Sequence, residues 1–293
     1  MNAPGALGAD PPDPDAFAIL GAGRVGLSLA VLLQRAGFTV AACTARSGAA
    51  LDRAVQLLRC PGYTDPVAAA GGAGTVLLCV PDGVVASLAS RLAAAGVCRP
   101  GMHVVHTAGV FGVEPLAPAA GAGAAVLAIH PLQAVPDVAT GVKRLPGSWF
   151  GITCDDAHWP WAERLVSALG GHPLRVPASE RVRYHAGAVM SSNFLVTLAA
   201  LVGEVAGGVE PYLPLLRGTL ENLQGQGAAA ALTGPVVRGE TGTIRAHVAA
   251  LAGTPAGDAY VQLTAQTIRT AQASGRIDAA TASALWDALW AAP

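Results

Sequence analysis

The sequence predicts an α/β protein, a Rossmann-type doubly wound parallel sheet followed by an all-α C-terminal domain. Three observations carry the prediction. Short apolar runs alternate with helical stretches from Ala16 to Val176, a Gly-x-Gly-x-x-Gly turn follows the first run, and strand-like segments cease after Pro177. Alternation of this kind builds a parallel sheet covered by helices on both faces.

Bulk properties narrow the class further. A chain of 293 residues is long enough for two domains with substantial cores. It is 52% hydrophobic, 13% charged and only 5% aromatic, so small aliphatic side chains fill the interior. A net charge of −1 offers no footprint for nucleic acid or an anionic membrane. The 5 cysteines show neither CxxC pairing nor metal-ligand spacing, which predicts reduced thiols, no metal and a cytoplasmic protein without a leader. No run of ~18 uninterrupted, strongly apolar residues occurs, so no membrane span is expected.

Residues 1–15, with Pro4, Pro11, Pro12 and Pro14, read as a disordered arm. Strands are predicted at 16–20, 39–43, 75–80, 103–106, 126–129 and 149–153, with a last short run at 174–176. Helices are predicted at 25–36, 49–58, 84–95 and 162–169. Beyond Pro177, segments 180–207, 211–223, 226–233, 243–252, 257–274 and 277–291 all read as helices, several bounded by Gly or Pro. The expected division is a dinucleotide-binding domain over 16–177 and a helical substrate and dimerisation domain over 178–293.

The turn Gly21-Ala22-Gly23-Arg24-Val25-Gly26 links the first strand to the first helix. Gly21 permits the tight turn, Gly23 lets the backbone approach a pyrophosphate, and Gly26 allows strand and helix to pack closely. The helix N-terminus at Arg24 and Val25 then faces the phosphates. The next strand ends in Cys43-Thr44-Ala45-Arg46-Ser47, with no carboxylate before Asp52. An acid there would accept from the ribose 2′-OH of NAD(H). Its absence, with Thr44, Arg46 and Ser47 in its place, points to the 2′-phosphate of NADP(H), although Arg46 alone would also suit a solvated loop.

Three further strands end in Val80-Pro81-Asp82, His106-Thr107 and His130-Pro131. Ligands of open α/β sheets bind outside the carboxyl ends of the strands. Val80, Pro81 and Asp82 are therefore expected along the dinucleotide, with His106 and His130 towards the nicotinamide; either histidine could instead be structural. In the helical half, His185, Ser192 and Asn193 share one broad face at 100° per residue and need polar partners, a neighbouring helix or a substrate. Thr233, Arg238 and His247 cluster around a Gly/Pro break, where a loop reaching into a site is expected.

The motifs GAGRVG at 21–26, HPLQ at 130–133, YHAGAVMSSN at 184–193 and LTGPVVRGE at 232–240 together resemble a bacterial family. Its members join a Rossmann-like domain to a C-terminal helical domain long labelled as of unknown function. That family is similar to the 6-phosphogluconate-dehydrogenase-like superfamily, with ketopantoate reductase, pyrroline-5-carboxylate reductase and β-hydroxyacid dehydrogenases. The resemblance implies an NADP-dependent reductase of a small molecule, working as an intertwined helical homodimer, with ketopantoate reduction the nearest named activity.

One departure matters. Relatives in that superfamily use a lysine on the long helix as acid/base, whereas of 18 lysines and arginines here only Lys143 is a lysine. His185 is then the expected proton donor, since imidazole titrates near neutral pH. Asn193 and His130 would orient the substrate oxygen and Arg238 would bind a carboxylate, which fits a 2-oxo acid. Reduction of a C=N bond is the alternative, the Thr241-Gly242-Thr243-Ile244 segment resembling the C-terminal loop of pyrroline-5-carboxylate reductase. A non-catalytic NADP(H)-binding sensor is the rival from another class.

Overall fold

Along the first strand, Phe17 and Ile19 pack on one side while Ala18 and Leu20 pack on the other, as alternate residues of an extended chain must. In the computed structural model, which describes residues 13–290, this strand is the third in an eight-stranded sheet. The strands are β1 (Ala16–Leu20), β2 (Thr39–Thr44), β3 (Gly62–Tyr63), β4 (Thr75–Leu78), β5 (His103–His106), β6 (Ala125–Pro131), β7 (Trp149–Thr153) and β8 (His172–Arg175). Their order is β3-β2-β1-β4-β5-β6-β7-β8. Connecting helices are α1 (Arg24–Arg35), α2 (Gly48–Leu58), α3 (Pro66–Ala70), α4 (Asp82–Ala94), α5 (Ala117–Gly121), α6 (Val138–Arg144) and α7 (Trp159–Ala168). One core joins Leu29, Leu33 and Leu165 to Leu77, Val105 and Ile129; the other joins Val85, Leu92 and Leu116 to Val76, Leu78 and Val104. Helices on both faces make the sheet doubly wound.

The sheet is not parallel throughout. β7 runs antiparallel to β6, with Ala128 opposite Thr153 and His130 opposite Gly151, and β8 follows β7 in parallel. Between β6 and β7 lies α6, which stays beside α1: the Ser28 hydroxyl donates to the Val138 carbonyl, and a Cβ on Gly141 would strike that serine. A further difference concerns the N-terminal arm. Residues 1–12 lie outside the described residues, but 13–15 are held: Thr75 donates to the Pro14 carbonyl at 2.7 Å and Arg164 pairs with Asp15 at 2.8 Å.

After β8 the elements are helical: α8 (Arg181–Ala206), α9 (Leu213–Ala231), α10 (Thr241–Leu251), α11 (Pro255–Ala273) and α12 (Ala279–Trp290). Gly227, at φ 75°, interrupts α9 and accounts for the two segments read there. The chain divides into two compact units between Met190 and Ser191, inside α8 rather than near Pro177. The reason is that the first turn of α8 packs on the sheet through Arg181 and Tyr184. In the second unit Val236, Ile244, Ile268, Leu285 and Leu289 form a separate core. The stretch Ala178–Ala206, within which an 18-residue window reaches a mean hydropathy of 1.6, is long and apolar enough to cross a membrane by length and composition. It meets that test as an average, which a search for an uninterrupted apolar run overlooks.

Candidate active site

The parallel strands β2, β1, β4, β5 and β6 all end on one edge of the sheet. On that edge, just after β1, Gly21 takes φ +107°, a left-handed conformation that glycine alone adopts without cost. A Cβ there would strike the Cys79 carbonyl. A Cβ on Gly26 would strike the Gly21 carbonyl and come within 3.0 Å of Cys79 Cβ. Gly23 differs: it opens α1 with no side-chain cap, and a Cβ there would meet nothing within 4 Å. Two glycines are demanded by the protein itself, while the third leaves space in front of uncapped helix N–H groups. That is the shape a pyrophosphate requires, so the turn fits a dinucleotide.

The neighbours of this turn depart from expectation in detail. Arg24 is exposed and donates to the Pro136 carbonyl at 3.2 Å through one terminal nitrogen, while Val25 packs against the core and offers a ligand its backbone N–H only. Thr44 is buried; its hydroxyl accepts from Gly21 N–H at 3.2 Å and its carbonyl from Ala22 N–H at 2.7 Å. It braces the turn instead of facing solvent. Ser47 caps α2, accepting from Ala50 N–H, while Arg46 is exposed and enters none of the ion pairs among the described residues. Val80 abuts the turn, and Pro81 and Asp82 stand exposed at the head of α4.

His106 is fully buried and occupied. Ala108 N–H donates to its Nδ1, so Nε2 carries the proton and donates to the Gly112 carbonyl at 2.6 Å. Burial, first of all, lowers its pKa. The ring organises the loop after β5, and a contact with nicotinamide is not its work.

His130, near the end of β6, has company. Its Nδ1 lies 2.9 Å from the Tyr184 hydroxyl, and its ring meets that of His185 edge to face at 5.8 Å. Gly109 floors the space between the two histidines: a Cβ there would come within 2.5 Å of His185 Cδ2 and 3.0 Å of His130 Nε2. Burial, then the neighbouring His185, Arg181 and His106, push the pKa of His130 down to about 4. Burial pushes that of Tyr184 up. At neutral pH both groups are uncharged, a hydrogen-bonding pair rather than an acid and a base.

Beneath them lies Arg181, the largest fully buried side chain. Its Nε–H donates to the Thr153 hydroxyl at 2.6 Å, and one terminal nitrogen donates to the carbonyls of Ala128 (2.9 Å) and Gly151 (3.1 Å). The sequence alone does not single out Arg181 or Tyr184 as site residues. Their place in the HPLQ and YHAGAVMSSN neighbourhoods was the available signal, but a hydroxyl meeting a ring 54 residues away is not a local pattern.

The remaining candidates lie in the second unit. Ser192, Asn193 and Thr233 are exposed, and the Asn193 carbonyl accepts from Thr197. Arg238, expected to take a substrate carboxylate, is already paired with Glu240 through both Nε and a terminal nitrogen, the latter at 3.1 Å. Each raises or lowers the other's pKa in the sense of an ion pair. Nδ1 of His247 lies 2.9 Å from the Tyr260 hydroxyl. Among the described residues no group of three or more His, Cys, Asp or Glu is gathered as for a metal.

Comparison with known proteins bears on both halves. Residues 9–131 match a Rossmann-like domain, and residues 148–267 match a domain of unknown function, DUF2520. No curated protein matches the chain. Among solved structures it is similar to a Bacteroides fragilis protein assigned as an NADP oxidoreductase (22% identity, TM-score 0.68, covering 85% of this chain and 95% of that one). It is also similar to a Thermotoga maritima protein (20%, 0.68, 88% and 99%). An imine reductase from Pseudomonas sp. matches at 19% and 0.61, covering 96% and 100%. At such identities the likeness speaks for the fold.

Proposed function

We propose that this chain, which carries a Rossmann-like domain followed by a DUF2520 domain, is an NADP(H)-dependent reductase of a small polar substrate. The observation that carries the reading is the His130–Tyr184–His185 cluster over Gly109, set on the same sheet edge as the open glycine turn. When bound, the reduced dinucleotide supplies hydride. His185 donates the proton to the substrate oxygen. His130, kept neutral, orients that oxygen by hydrogen bonding, and Tyr184 fixes the His130 ring. Asn193 remains the second candidate for orienting the carbonyl.

The first substrate class is a 2-oxo acid of the ketopantoate type. The second, a cyclic imine, is favoured by one observation: Glu240 already occupies the cation chosen to anchor a carboxylate. A C=N bond can also accept hydride already protonated, asking less of the protein. NADPH oxidation by the purified chain, measured against 2-oxo acids (ketopantoate included) and cyclic imines, tests the reading. Turnover of one class is expected. Tight NADPH binding without turnover of any would leave a binding module and sink the enzyme reading.

Cofactor choice rests on Arg46. Arg46→Ala is expected to weaken NADPH by roughly 1.5–3 kcal/mol, the scale of a charge-assisted hydrogen bond, and to leave NADH nearly unchanged. Equal losses in parallel titrations would reassign Arg46 to a solvated loop.

The second unit is read as a homodimer surface. Phe194, Val196 and Leu215 are 57%, 70% and 68% exposed, far more than isolated large apolar side chains need be. Obligate interfaces of this kind commonly bury more than ~2,000 Å². Sedimentation at micromolar concentration is expected to give a dimer, and a stable monomer would overturn that.

A further inference from the structure

An arginine that forms no ion pair among the described residues, buried under a cluster of histidines, is costly to keep. Taking a guanidinium out of water is unfavourable unless its donors are satisfied. Arg181 satisfies most of them on backbone and hydroxyl oxygens, and one terminal nitrogen is left buried without a partner. Burial lowers its pKa. No ion pair among the described residues explains its presence. What its bonds do share is location: Ala128 on β6 and Gly151 and Thr153 on β7 belong to the one antiparallel junction of the sheet, where His130 stands opposite Gly151.

We infer that Arg181 is a positioning residue for the histidine pair, clamping the first turn of α8 onto the β6–β7 junction so that Tyr184 meets His130. The inference rests on reading that pair as the reacting site. Three facts make the clamp specific. The Arg181 guanidinium lies 5.6 Å from the Tyr184 ring, which sets the ring's side. Gly151 must lack a side chain, because its Cβ would come within 2.6 Å of the Tyr184 ring and hydroxyl. The Thr153 hydroxyl that accepts from Arg181 itself donates to the Val176 carbonyl, tying the clamp to the residue just after β8 as well. Once Tyr184 is placed, the helix carries His185 to Gly109 one residue later. A planar fork with donors in fixed directions does this; a lysine ammonium does not.

The charged and titratable groups around His130 are Tyr184, His185 and Arg181 on α8 and His106 on β5, with Glu114 beyond Arg181 and His106 and Asp82 beyond His106. Arg181 thus adds a fixed positive charge beside His130 and His106, which lowers the pKa of both.

The test is an NMR titration of the histidine side chains in the full chain, which needs no substrate. In the wild type His130 should stay neutral down to about pH 4. In Arg181→Met its titration should move upward by about one pH unit or more, as Tyr184 is released and the cation is lost. Arg181→Lys keeps the charge but not the fork, so it should also move His130 upward; full restoration of wild-type titration by lysine would reduce the role to charge alone and overturn positioning. Tyr184→Phe, which keeps the ring packing and the arginine, is the variant to use should both Arg181 variants misfold. It too should move His130 upward, and an unmoved His130 in folded Tyr184→Phe contradicts the inference. With a substrate in hand, Arg181→Lys should lower kcat by about 10²-fold at unchanged NADPH affinity. Should the chain turn over nothing, the reductase reading fails while the titration still decides the clamp.

Discussion

His185→Ala is expected to lower kcat by about 10²–10⁴, the usual worth of a positioned general acid, and to leave NADPH affinity intact. The expectation follows from elimination within the cluster. No lysine occurs after Lys143, so the usual amine is missing. His106 has both ring nitrogens engaged by backbone. His130 is held neutral and spends Nδ1 on Tyr184. His185 is the half-buried ring that borders Gly109 and meets His130 at 5.8 Å, with no hydrogen bond that fixes it elsewhere among the bonds described. Near-normal turnover in His185→Ala, together with loss in His130→Ala, would move the acid to the Rossmann side. Turnover that survives both would favour the imine reading, in which the acceptor arrives protonated.

The second large effect concerns the glycine turn, where neighbouring positions should fail in different ways. Gly26→Ala forces a Cβ into the Gly21 carbonyl, and overpacking of this kind typically costs about 1–3 kcal/mol. Gly21→Ala adds an unfavourable φ to a collision with the Cys79 carbonyl. Both variants should melt earlier than the wild type in thermal unfolding. Gly23→Ala should not, since nothing stands within 4 Å of the new atom. A Gly26→Ala protein as stable as the wild type would mean that strand and helix do not pack as closely as described.

Legibility in the sequence tracked how local each feature is. The strands β1, β5 and β7 and the helix after the glycine turn are legible to within a residue or so, because burial on one or both faces writes a period into the chain. The direction of β7 was not readable: a buried strand carries the same apolar run whichever way it points. α6 escaped notice although Asp137 caps it by accepting from Thr140 N–H, since seven residues are too few to establish a helical period. Function separated along the same line. Gly21, Gly23 and Gly26 declared their roles through spacing. Thr44 was read as a ligand to phosphate, but its hydroxyl serves Gly21 across 23 residues. His106 was placed near the nicotinamide by strand position, which says where a residue is and not what its nitrogens already bind. Arg181 and Tyr184 acquire meaning only from partners on β6 and β7.

The central claim is that the open side of the glycine turn holds a nicotinamide dinucleotide, and titration of the wild type and Gly23→Ala with NADPH tests it most directly. The account predicts saturable binding to the wild type, at least tenfold weaker binding to Gly23→Ala (about 1.4 kcal/mol), and the same melting temperature for both proteins without cofactor. Equal NADPH affinity in the two proteins, or no saturable binding to the wild type, would contradict it.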